Sequence, residues 1–109
     1  MVVKHEVGTY RVLMISGYGR ATQIGFIYFN KPDRKYIGYA GIIKDGNPLP
    51  PNKQWPNGVL NIYFHEAEFV ALLDTLRMEK PIYVRFNTDL KWGSVGTDLE
   101  PVGEGEEPA

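Results

Sequence analysis

Residues 58–81, GVLNIYFHEAEFVALLDTLRMEKP, decide the fold. Val59 to His65 is a strongly apolar run of strand-forming residues, and it passes directly into a helical pattern. Phe69, Leu72, Leu73 and Leu76 fall at the i, i+3, i+4, i+7 spacing of one helix face, with Val70 widening the stripe. Glu66 and Glu68 stand in the first turn and Arg77 and Lys80 in the last, the polarity that the helix dipole favours. Pro81 stops the element. The stretch predicts one strand, 59–65, feeding one amphipathic helix over residues 66–80.

The flanking sequence reads almost entirely as strand. Upstream, 10–16 (YRVLMIS), 22–30 (TQIGFIYFN) and 35–43 (KYIGYAGII) are β-rich runs joined by the tips Gly17–Arg20 and Lys31–Arg34, the second with proline where a type I turn wants its fixed φ. Downstream, 82–86 (IYVRF) alternates and 91–97 (KWGSVGT) forms a weaker sixth run. Residues 1–8 read as a frayed lead-in. Residues 44–58, KDGNPLPPNKQWPNG, read as one long loop, a length usually found in functional or mobile segments. The expectation is an α+β fold: a twisted antiparallel meander of five or six strands with one helix after the fourth strand.

Neither face of that sheet is polar. A helix of ~14 residues is about 21 Å long and about 10 Å wide, whereas five or six strands at about 4.8 Å spread roughly 25 Å. One helix therefore covers under half of one face, and something else must cover the rest. Exposed apolar faces of that size are rare on monomers, so a homo-oligomer, most simply a two-fold dimer, is expected.

At 109 residues the chain suits one domain, read as 1–97 followed by an acidic tail, 98–109. Residues 1–97 hold all 12 bases but only 8 of the 13 acids, a net charge of +4 before the tail. The start, MVVKHEVGTY, has no apolar leader core, no run reaches a membrane span, and cysteine is lacking; together these point to the cytoplasm, with no disulfide or thiolate chemistry. Two well-separated histidines, His5 and His65, do not make a zinc site. Gly17-Tyr18-Gly19 joins two strands and fails as a phosphate loop, and no nucleophile–base spacing is present. The expectation is a non-enzymatic protein without a cofactor.

In a meander, the Gly17–Arg20 tip and the 44–58 loop meet at one end, collecting Tyr18, Arg20, Lys44, Lys53 and Trp55. Interleaved bases and aromatics suit stacking on unpaired bases and holding phosphates. The alternative is ordinary charged loop tips, with Trp55 closing its loop. Tyr28, Tyr36, Tyr39, Tyr63, Phe26 and Phe29 form either a stacking platform or plain core packing.

The succession 10–16, 22–30, 35–43, 59–65 and helix 66–80 resembles the coactivator/Whirly group of single-stranded-DNA-binding proteins. The resemblance implies dimers whose curved sheets grip unpaired strands, and it singles out Arg11, Tyr18, Arg20, Lys35, Tyr39 and Trp55, to which the loop end adds Lys44 and Lys53. The rival expectation is a protein-interaction or scaffold domain whose open sheet face is an oligomer interface.

Overall fold

The structure, a computed structural model, describes residues 1–17 and 22–99. Among them are eight strands: β1 (Val2–Val7), β2 (Thr9–Met14), β3 (Gln23–Asn30), β4 (Tyr36–Ile43), β5 (Lys53–Gln54), β6 (Leu60–His65), β7 (Ile82–Asn87) and β8 (Gly93–Gly96). A 3₁₀ turn, Glu66–Glu68, opens the one helix, α1 (Phe69–Met78). The mixed α+β class is as expected. No helix is long and apolar enough to cross a membrane among the described residues.

The sheet arrangement departs from a single meander in three ways. First, there are two sheets, one ordered β1-β7-β8 and one ordered β2-β3-β4-β6-β5. Residues 2–7 are not a frayed lead-in: they pair along their length with β7, from Val2 opposite Asn87 to Val7 opposite Ile82. Second, β6 runs parallel to β4, with Gly38 opposite Leu60 and Ile43 opposite His65. Of the four strands expected to run antiparallel before the helix, only β2, β3 and β4 are consecutive antiparallel neighbours. Third, the 44–58 segment contains β5, which pairs with β6 through a tight turn. In that turn Pro56 and Asn57 follow Trp55, Gly58 takes φ +90°, and the Trp55 N–H donates to the Val59 carbonyl, the arrangement of a type I turn closed by a glycine bulge.

The chain passes between the two sheets through α1 and, directly, at Gly8. β1 and β2 form a single extended run broken at Gly8, whose N–H donates to the Asn30 carbonyl at 2.7 Å. A Cβ on Gly8 would stand 2.5 Å from the Pro32 Cα, so only glycine permits the corner to close on the β3–β4 turn. Gly38 is similarly fixed: φ is +150°, and a Cβ there would collide with the Leu60 carbonyl oxygen across the parallel pair.

The second sheet covers the inner face that one helix could not. Ile27, Phe29, Ala40, Ile42, Leu60 and Ile62 from the larger sheet meet Ile82, Val84 and Phe86 from β7, with Leu72, Leu73 and Leu76 of α1 packed into the same core. Gly93 of β8 lies against Ile62, where a Cβ would approach its Cδ1 to 2.7 Å. The inner-face cover is thus supplied by residues of the same chain. Val70, assigned to the helix stripe, is 66% exposed instead.

Loop 44–52 is tied to the helix start. The Asp45 carboxylate accepts from the Ala67 N–H at 3.1 Å, and the Asp45 N–H donates to Glu66 Oε1 at 3.1 Å. Glu68 accepts from the His65 N–H at 2.9 Å, satisfying a backbone donor at the helix entry. His65 Nε2 meets the Asn47 carbonyl oxygen at 2.8 Å. Glu66, Glu68 and His65 therefore hold the chain in place.

Candidate nucleic-acid interface

The outer face of the five-stranded sheet carries the aromatic residues. Beyond an irregularity between Gln23 and Gly25, β3 alternates, sending Ile27 and Phe29 inward and Phe26 and Tyr28 outward. Phe29 thereby leaves the proposed platform for the core, where it is 1% exposed. On β4, simple alternation groups Tyr36 with Ile42 and Ile37 with Tyr39. A bulge reverses this: Phe29 pairs with Gly38 but Asn30 with Tyr36, leaving Ile37 as the extra residue. Ile37 turns into the core, and Tyr36 joins Tyr39 outside.

The outward rings form a connected row. Phe26 stacks on Tyr28 at 5.5 Å, and Tyr39 meets Phe26 edge-on at 5.1 Å. Tyr28 contacts Tyr36 at 6.5 Å, and Tyr39 contacts Tyr63 edge-on at 6.1 Å. These separations and tilts are those that aromatic quadrupoles favour. The row ends in cations at both sides of the sheet: the Arg11 guanidinium lies 4.9 Å from the Tyr28 centroid, and Lys53 Nζ lies 3.6 Å from that of Trp55.

Near the β5–β6 turn the face opens into a groove of about 600 Å³, lined by Tyr36, Tyr39, Trp55, Pro56, Val59 and Asn61. Its floor is held by Asn61, which is buried. With its amide oxygen turned to the available donors, Asn61 accepts from the Tyr39 hydroxyl at 3.2 Å and from Trp55 Nε1 at 3.0 Å, while its NH₂ donates to the Leu60 carbonyl at 3.2 Å. Because Tyr39 donates its proton to Asn61, the 3.1 Å contact between the hydroxyls has Tyr63 as donor. Burial, followed by the hydrogen bond with Tyr63, pushes the Tyr39 phenol well above its usual range. Burial also raises Tyr36. Both rings stay protonated at neutral pH, as stacking surfaces and not as bases. Tyr36 and Trp55, each 44% exposed, stand at the mouth of the groove.

No Asp or Glu stands on any of the five strands, whereas Arg11 and Lys53 do. Of the residues singled out from sequence, Arg11, Tyr39, Lys53 and Trp55 come together on this face. Lys35 and Lys44 flank β4 at its two ends, about 30 Å apart by strand rise, and because β6 runs parallel to β4 the intervening loop travels back along the sheet to the Lys35 end. Lys44 therefore lies at the opposite end from Trp55, a correction to the single basic end that a meander requires. Tyr18 and Arg20 lie outside the described residues. Asn61 was missed: a lone asparagine in an apolar strand gives no sign of which donors a neighbouring turn will aim at it. Comparison with protein families, with curated proteins and with solved structures finds no match for this chain.

Proposed function

We propose that the protein is a non-enzymatic binding module that takes unpaired nucleic acid on the outer face of its five-stranded sheet. The observation that carries this reading is the row of half-exposed rings on a surface whose strands bear cations and no carboxylate. Stacked bases need flat π-faces, and phosphates need cations free of competing acids. Tyr28, Tyr36, Tyr39 and Trp55 offer the faces; Arg11 and Lys53 sit at the two sides, with Lys35 and Lys44 at the ends of β4. Aromatic side chains recur on sheet surfaces that bind single strands, although fold alone does not assign function.

The test is anisotropy of a labelled dT12 oligonucleotide at low and moderate salt. Saturable binding that weakens with salt is expected, and Tyr36→Ala should weaken it by about tenfold, the scale of one lost stack. In a Trp92→Phe background, quenching of Trp55 emission should track the binding curve. No saturable binding at low salt removes this reading.

A second reading, a self-association surface, is favoured by the edge strand β2, where Val12, Leu13 and Met14 are 36%, 41% and 49% exposed. A bare apolar edge is a template for strand pairing between copies, and a two-fold dimer would join two aromatic faces into one surface. Sedimentation at high micromolar concentration decides this: a monomer there excludes it.

A further inference from the structure

The outer face of the three-stranded sheet carries a second, different arrangement. Lys4 of β1 stands directly opposite Arg85 of β7, and Arg85 directly opposite Ser94 of β8. Val84 and Val95, the neighbours in β7 and β8, pack toward the core, which sends Arg85 and Ser94 outward. Two cations and a hydroxyl are thus aligned across three strands. Like charges placed directly opposite on antiparallel strands repel, and a row of this kind is stabilised by an anion lying over it. Tyr83 lies beside them, with Lys4 Nζ at 4.3 Å and the Arg85 guanidinium at 5.3 Å from its ring centroid.

An anion is present, and it belongs to the chain. The Asp98 carboxylate accepts from Lys4 Nζ at 2.7 Å and faces the Arg85 guanidinium at 3.3 Å through its other oxygen. Arg85 also donates to the Thr97 carbonyl at 3.3 Å. One carboxylate spanning two cations with two oxygens has the geometry by which a phosphate is gripped. The contact is open to water on its Lys4 side: Lys4 and Asp98 side chains are 42% and 47% exposed, against 20% for Arg85, so a solute anion can reach and displace the carboxylate. Glu6 shares this face, opposite Tyr83, and confines the site to the Lys4 side of the sheet.

We infer that Lys4, Arg85 and Ser94, with Tyr83 beside them, form a phosphate-binding site that Asp98 occupies in the free protein. This goes beyond the aromatic face, which lies on the other sheet, and does not depend on it. The ligand chemistry is a phosphate group, free or within a nucleic-acid backbone. Asp98 is the competitor that such a group displaces.

The experiment titrates wild type, Asp98→Asn and Lys4→Gln/Arg85→Gln with inorganic phosphate, and separately with dT12. It follows backbone amide shifts of Lys4, Arg85 and Ser94 by NMR. In Asp98→Asn, saturable shifts at these three residues should appear at about tenfold lower ligand concentration than in wild type, the scale of one exposed and one half-buried ion pair removed. The double variant should show none. A response to inorganic phosphate identifies a free phosphate as sufficient, and a response to dT12 alone identifies a backbone diester; either supports the site. Equal affinity in wild type and Asp98→Asn, or shifts that spare these residues for both probes, overturns it. Loss of the aromatic-face reading would register instead at Tyr36, Tyr39 and Trp55, so the two outcomes stay distinct.

Discussion

On the five-stranded sheet, Arg11 and Lys53 rest on aromatic rings, and the strands beneath them carry no carboxylate. On the three-stranded sheet, Lys4 and Arg85 also border a ring, but they share the carboxylate of Asp98. Both outer faces combine bases with aromatics. They differ in their counter-charge: one face holds the Asp98 carboxylate, whereas among the described residues no carboxylate pairs with Arg11 or Lys53 on the other. A cation on a ring is weakly neutralised, because the quadrupole attraction is small beside a full charge at hydrogen-bond distance. On the proposed readings the first face is open to a ligand, and the second is closed by Asp98.

The largest effect comes from breaking what the two faces share. Phe29 lies in the core between the sheets at 1% exposure, so Phe29→Ala should cost about 3–5 kcal/mol in urea unfolding and loosen both sheets together. A loss below about 1 kcal/mol would show that the sheets do not depend on a common core. Gly8→Val comes next, because any side chain meets Pro32 where the strand crosses from one sheet to the other. About 2 kcal/mol is expected from that overpacking, with amide exchange rising in β1 and β2 on either side.

Asn61→Leu separates the faces. It removes the acceptor of Trp55 Nε1 and leaves the Tyr39 hydroxyl only its bond to Tyr63, so a loss of about 1–3 kcal/mol is expected with a shift in Trp55 emission. Amide exchange in β1 and β7 should stay at wild-type rates; matching changes there would mean that the groove is not a local device.

Two smaller effects belong to the three-stranded sheet. Burial, with Lys31 nearby, holds the His5 imidazole below its ordinary value of 6.5. The folded chain thus binds this proton less readily than the unfolded chain. Stability should be insensitive to His5 above that value, and should fall as pH drops below it toward the lowered folded pKa. His5→Gln should flatten that part of the profile in thermal melts between pH 5 and 7, and an unchanged slope would remove His5 as its source. Smallest of all, Asp98→Asn should shift the urea midpoint little, because Asp98 and Lys4 are solvated and Arg85 keeps its bond to the Thr97 carbonyl. A clear destabilisation would make Asp98 a structural clamp and not a displaceable occupant.

The chain's local patterns determined a good deal by themselves. The apolar alternation of 22–30 and 82–86, the leucine spacing of 66–80 and the stop at Pro81 marked elements that the structure contains, because period and breakers act over a few neighbouring residues. Two local signals were readable and missed: the alternation in Val2–Val7, and Trp55-Pro56-Asn57-Gly58, a turn sequence that announces the β5–β6 hairpin. The larger apolar surplus was also legible, and so was the need for something beyond one helix to cover it. What covers it was decided only in three dimensions. The chain supplies β1, β7 and β8, and strand partners separated by about eighty residues are chosen by fit across the core, not by any local preference. The bulge at Ile37 has the same origin. One extra residue exchanges Ile37 and Tyr36 between core and surface, and with them the lip of the groove. The parallel run of β6 sets Trp55 beside Tyr36 and carries Lys44 to the far end, because direction in a sheet follows from how the intervening loop crosses it. Composition made an aromatic, basic surface available; long-range pairing determined which rings and which charges share it.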